Sequence, residues 1–125
     1  MSALLPPEEW SGKLVSTLDV LLLVRERLLE GFSIEVIIGR TDVHAFESFQ
    51  DGMHFHQFFC GGDDRSLIEF WAWLRDEKGE FPSPGGWARK YLEEFAGDHK
   101  AAIMKFLDRC AEFAASRRPQ QPSKP

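Results

Sequence analysis

Residues 85–114, GGWARKYLEEFAGDHKAAIMKFLDRCAEFA, constrain the fold more than any other stretch: a glycine-opened aromatic helix, a short break and a longer amphipathic helix. In the second helix Ile103, Phe106, Leu107, Cys110, Phe113 and Ala114 recur at steps of three and four, with Lys105, Asp108, Arg109 and Glu112 between them. That periodicity gives one apolar and one polar face. Gly97 suits the left-handed residue that ends a helix, and the carboxylate of Asp98 can accept a hydrogen bond from a free N–H of the next. Two helices therefore meet at a tight corner, and the rest of the chain supplies their packing partners.

A chain of 125 residues fits one domain with a real core. The apolar share of 43% against 28% charged residues is that of a globular protein, but eleven Phe, four Trp and one Tyr exceed what a small core requires. Formal net charge is −5, and Arg117, Arg118 and Lys124 follow Ser116 while all 20 acidic residues precede it. The body is thus more acidic than the whole. Such a surface repels phosphate backbones and attracts basic partners, so a protein ligand is expected and nucleic acid is not. Cys60 and Cys110 follow no metal spacing and form no disulfide framework, which suggests a reducing cytoplasm. The opening MSALLPPEEW carries neither a basic leader nor an apolar run of signal length, so export is not expected. The apolar patch 20–24 is too short to span a bilayer, and no membrane association is expected.

Along the chain, Pro6 and Pro7 keep the first residues out of a helix, with Glu8 and Glu9 starting a turn before Trp10. From Lys13 to Glu30 a stripe of Leu14, Leu18, Leu21, Leu22, Val24, Arg25, Leu28 and Leu29 predicts the first long helix, stopped by Gly31. Residues 32–38 are rich in β-branched side chains without a partner of like character, and read as an extended connector. Thr41 or Asp42 can cap a helix running to Phe59. Phe46, Phe49 and Met53 share one of its faces while Phe55 and Phe58 fall elsewhere, and Gly52 suggests close approach of another helix. After Gly61 and Gly62, Asp63 or Asp64 can cap a helix with Leu67, Phe70, Trp71 and Leu74 inside and Gly79 as its stop. The loop 80–86 holds Pro82 and Pro84 and reads as a rigid turn.

Candidate chemistry is sparse. His54 and His56, with His44 and His99 in reserve, could be metal ligands, but residues two apart on a helix diverge and no Cys or carboxylate completes a set; they read as polar or capping side chains. Glu93 with Glu94, and Asp76 with Glu77, are adjacent helical carboxylates that do not converge on one cleft. Cys60 and Cys110 lack a nucleophile signature, and no phosphate-binding or dinucleotide loop is present. No catalytic, cofactor or metal residue is assigned. What remains is surface: Asp51, Asp63, Asp64, Asp76, Glu77 and Glu80, beside the surplus rings Phe55 and Phe58, form the expected partner-binding set. Charge speeds encounter and buried rings supply affinity.

The segment GGWARKYLEEFAGDHKAAIMKFLDRCAEF resembles the C-terminal signature of a family of small bacterial helical proteins, with Gly86, Trp87, Ala88, Arg89, Phe95, Gly97, Asp98, Ala102, Phe106, Leu107 and Phe113 at matching positions. Upstream, IIGRTDVHAFESFQDGMHF is similar to that family's loop and Phe-x-x-Gly-Tyr helix through Ile38, Gly39, Phe46, Phe49, Gly52 and Phe55, and FWAWLRDEKGEF to its Phe-x-x-Trp-Leu helix. Such families resemble immunity proteins of polymorphic toxins. The resemblance implies a non-enzymatic protein that neutralises a cognate toxin by occluding its active or substrate site, the toxin being basic where it is touched. An adaptor or chaperone for a secreted effector is the alternative of similar shape, and a small enzyme with metal at His54 and His56 the alternative of different kind.

The expected architecture is an all-α, single-domain bundle of about five helices, with an N-terminal arm over 1–12, a helical domain over 13–115 and a disordered tail over 116–125.

Overall fold

The computed structural model describes residues 7–13, 15–59, 65–80 and 86–117. Six α-helices follow a 3₁₀ turn at Glu8–Trp10: α1 Thr17–Leu29, α2 Ile34–Ile38, α3 Val43–Phe59, α4 Ser66–Lys78, α5 Trp87–Glu94 and α6 His99–Arg117. There is no strand among the described residues. The all-α bundle expected from the periodicity is what forms.

α6 is its axis: α1, α3, α4 and α5 all pack on it. Its residues Ala102, Ile103, Phe106, Leu107 and Cys110 are fully buried and Phe113 nearly so, while Ala114 is half-buried. Around them stand Leu21 of α1, Phe46 of α3, Phe70 and Leu74 of α4, and Trp87 and Tyr91 of α5. Phe106 makes edge contacts with Phe46 and Phe70, and Phe70 reaches on to Phe113, so one ring cluster ties three helices. Packed aromatic pairs of this kind each add about 0.5–1.5 kcal/mol beyond the area they bury.

The α5–α6 corner forms as its residues suggest. Gly97 is left-handed (φ 92°), and Asp98 Oδ1 accepts the Ala101 N–H at 3.0 Å. Ala96 is left-handed as well (φ 54°), so the chain turns on two such residues where one was expected. A side-chain-bearing residue in that region costs about 1–2 kcal/mol.

Residues 34–38 are helical, not extended. β-propensity spans only about 1 kcal/mol and yields to tertiary context. Here burial of Ile34 against the core, at 2% exposure, fixes the segment as a turn and a half of helix ended by left-handed Gly39. α2 is thus the helix beyond the expected five.

α1 begins at Thr17 rather than Lys13, because Ser16 Oγ accepts the Asp19 N–H at 3.0 Å and Ser66 Oγ accepts the Leu18 N–H at 3.2 Å. Leu29, expected on the inner stripe, is exposed. Asp63 and Asp64 lie outside the described residues; Arg65 stands at the N-cap of α4 and makes no side-chain capping bond. Gly52 is exposed, and a Cβ built on it would meet nothing within 4 Å, so it admits no neighbouring helix. α6 continues through Ser116 to Arg117, where Arg117 pairs with Glu69 of α4 at 3.1 Å, so the helical domain extends past the expected boundary at 115. Gly61, Gly62, the turn residues 81–85 and the tail 118–125 lie outside the described residues.

Candidate partner-binding surfaces

α3 is positioned by caps at its start and by Gln50 at its middle. Asp42 Oδ1 accepts the N–H groups of His44 (2.8 Å) and Ala45 (3.0 Å), and His99 Nδ1 of α6 accepts that of Val43 at 3.0 Å. The Ala45 N–H above all, together with His44 and the nearby Arg40, holds the Asp42 carboxyl below its ordinary range despite partial burial. Buried Gln50 then takes the Trp87 Nε1–H on its oxygen (3.2 Å) and gives its amide N–H to Asp51 (3.1 Å). Farther along, the Gln57 amide donates to the Val15 carbonyl, fastening the helix end to the residue before the N-cap of α1.

With its inner face so fixed, α3 turns Asp51, Phe55 and Phe59 outward at successive steps of four residues. Phe55 is 61% and Phe59 68% exposed, and their rings meet edge to face with centroids 4.5 Å apart. Phe59 belongs to this stripe although the sequence pattern singled out Phe58; the side chain of Phe58 lies outside the described set, as do Asp63 and Asp64. The step of four from Phe55 was the signal available.

The remaining expected residues separate. Asp76 and Glu77 are exposed near the C-terminal end of α4, and α4 has no extensive packing on α3. Asp76 lies against its neighbour Arg75 (2.9 Å), which holds its carboxyl below the usual range. Glu80 is not a surface group. Its side chain is 14% exposed and receives the Tyr91 hydroxyl at 2.6 Å and the Arg109 guanidinium at 3.0 Å, with Lys105 at 3.9 Å. Burial alone would raise the Glu80 carboxyl, but Tyr91, Arg109 and Lys105 outweigh it and hold the group below the ordinary Glu value. Tyr91 is pushed up, by burial first and then by Glu80. This network locks the end of α4 to α5 and α6, so Glu80 leaves the partner-binding set.

The histidines do not converge either: His99 caps α3, His44 and His56 are exposed, and His54 is half-buried with its Nδ1 unpartnered. Among the described residues no group of three or more His, Cys, Asp or Glu is placed to hold a metal ion. Cys110 is buried, and burial pushes its thiol up, away from the thiolate a nucleophile needs. No helix of the described residues is long and apolar enough to cross a membrane.

A second surface went unnoticed in the sequence. Two open hollows, of about 370 and 230 Å³, lie either side of Leu23 on the outer face of α1. The larger is walled by the 3₁₀ turn through Trp10 and Glu9, the smaller by α2 through Val36 and Ile37. Asp19 and Glu26, two helical turns apart, flank Leu22 and Leu23; that seven-residue spacing was the legible signal.

Comparison of the chain with protein-family models, with curated proteins and with solved structures found no match.

Proposed function

We propose that this chain is a non-enzymatic, immunity-type protein that neutralises a cognate bacterial toxin by docking over its active or substrate site. The observation that carries the reading is the Phe55–Phe59 pair: two rings in mutual contact, each more than half exposed, in line with Asp51 on the outer face of α3. Exposed large rings cost solubility, and clusters of them serve as anchors where partners bury them. Surrounding negative charge, in a chain of net charge −5, would speed encounter with a basic site and suppress acidic competitors. The choice of a toxin as partner rests on the resemblance of 37–113 to small immunity-type proteins.

Mixing the purified chain with a toxin whose gene is found next to its own tests this. The expected result is a stoichiometric complex in which toxin activity disappears. Full toxin activity in the presence of excess chain would overturn the reading, and a complex that forms with catalysis intact would make the chain an effector adaptor.

A further inference from the structure

We propose that the face built from the Glu8–Trp10 turn, α1 and α2 is a docking site for a basic amphipathic helix of a partner protein. The inference goes beyond toxin neutralisation and does not depend on it.

The floor is apolar: Trp10, Leu22 and Leu23 line the larger hollow, and Leu23 with Val36 the smaller. Neither hollow is enclosed, which suits a side-chain ridge rather than a small molecule. The rim of the larger hollow is acidic, and its Glu9, Asp19 and Glu26 have no ion-pair partner among the described residues; the smaller is edged by Arg27, which pairs with Glu30 at 3.6 Å. The charges along α5 and α6 differ in kind. There Glu80, Glu94, Asp108 and Glu112 each meet a Lys or Arg. Negative charge is thus paired around the Glu80 network and left unpaired at the rim of the larger hollow.

Only a cation-bearing occupant relieves that imbalance. A second copy of this acidic chain, a phosphate backbone and an anionic lipid surface are all repelled. Helical geometry fits: Asp19 and Glu26 are about 10.5 Å apart along α1 at 1.5 Å per residue. A helix with lysines seven residues apart meets both carboxylates while its apolar stripe covers Leu22 and Leu23, the groove-binding mode of amphipathic helices.

The test uses the full chain, isotopically labelled, and an 18-residue lysine–leucine amphipathic peptide at about physiological ionic strength, where surface pairing alone is screened. Amide shifts are expected to cluster at Trp10, Leu23, Glu26 and Val36. The double variant Glu9→Lys, Glu26→Lys should bind at least about tenfold more weakly, a loss of roughly 1.4 kcal/mol. Leu23→Ser should weaken binding similarly, whereas Asp51→Lys with Glu77→Lys, of equal charge change, should alter it less than about twofold. Circular dichroism checks that each variant is folded. Equal weakening by both charge pairs, shifts centred on Phe55 and Phe59, or undiminished binding of a peptide with its leucines replaced by serine would each overturn the proposal. Toxin neutralisation that persists in a variant unable to bind the peptide separates this site from the α3 surface.

Discussion

Trp87 of α5 and Phe106 of α6 lie face to face, with ring centroids 4.0 Å apart and planes 7° from parallel. The same indole donates its Nε1–H to buried Gln50 of α3, so one side chain joins the longest helix to two others by two different forces. Phe106→Ala should cost about 3–5 kcal/mol, combining lost transfer energy with the cavity left behind. Against a total stability of about 5–15 kcal/mol, that leaves a marginal fold. Trp87→Phe keeps most of the stack but strands the Gln50 carbonyl without its donor, at about 1–3 kcal/mol. Urea unfolding followed by circular dichroism measures both, and equal stability of Trp87→Phe and the parent would show that water satisfies Gln50.

The Glu80 network predicts how stability responds to acid. The folded carboxyl sits below its ordinary value of 4.5, whereas the unfolded one titrates near it. Its contribution is therefore complete above about pH 4.5 and is lost as pH falls through the lower folded value. Glu80→Gln keeps an acceptor for Tyr91 but removes the charge facing Arg109 and Lys105; the site is only partly desolvated, so a loss of about 1–3 kcal/mol is expected at pH 7. Denaturation midpoints compared from pH 7 to pH 3 should converge as the parent protonates. Parallel curves would mean that Glu80 contributes through packing alone.

Two groups from different helices close the start of α3. Asp42 takes the His44 and Ala45 N–H groups, and His99 takes that of Val43. Asp42→Ala should cost about 1 kcal/mol, as loss of an N-cap does. His99→Ala removes the acceptor from α6 and should cost a similar amount, about 1 kcal/mol, from one lost hydrogen bond. Combining the two should exceed their sum, since each then leaves the helix end with no substitute. Thermal unfolding of the single and double variants reads the coupling.

Gly52→Ala should stabilise the protein. The site is an exposed position inside α3, and an added Cβ meets nothing within 4 Å. Alanine there lowers the conformational freedom of the unfolded chain and suits a helix, a gain of about 0.5–1 kcal/mol. A rise in urea midpoint with unchanged slope is the expected readout, and a fall would mean that a partner helix does approach Gly52.

The parts legible in the sequence are those where local chemistry and tertiary demand agree. Ile103, Phe106 and Cys110 repeat at helical spacing and are buried; Gly97 and Asp98 turn the corner by backbone geometry that few residues can supply. Residues 34–38 misled because their β-branched character is a weak preference, and what overrides it, the burial of Ile34, involves residues distant in sequence. Glu80 misled for the same reason. Its partners Tyr91 and Arg109 lie 11 and 29 residues away, and nothing local distinguishes an inward glutamate from the solvated ones at Glu77 or Glu93. Asp51 and Phe55 are exposed, in keeping with α3 having more rings than one buried face takes. The hollows beside Leu23 depend on how the 3₁₀ turn and α2 fold back on α1, which no periodicity encodes.

The α3 surface makes a prediction in which stability and binding part company. Phe55 and Phe59 are each more than half exposed, so Phe55→Ser with Phe59→Ser removes mainly exposed ring surface. Exposed substitutions of this kind move stability by no more than about 1 kcal/mol. If the rings anchor a toxin, burial in its site makes them hot spots worth about 2 kcal/mol or more each, which corresponds to a loss of at least roughly thirtyfold in affinity per ring. Asp51→Lys should act differently, slowing association and steepening no unfolding curve, because a rim charge governs encounter more than residence. Surface plasmon resonance on the parent and both variants separates these effects, with dissociation faster for the ring variant and association slower for Asp51→Lys. Unchanged dissociation after loss of both rings would remove α3 from the interface and leave the groove at Leu23 as the surface to pursue.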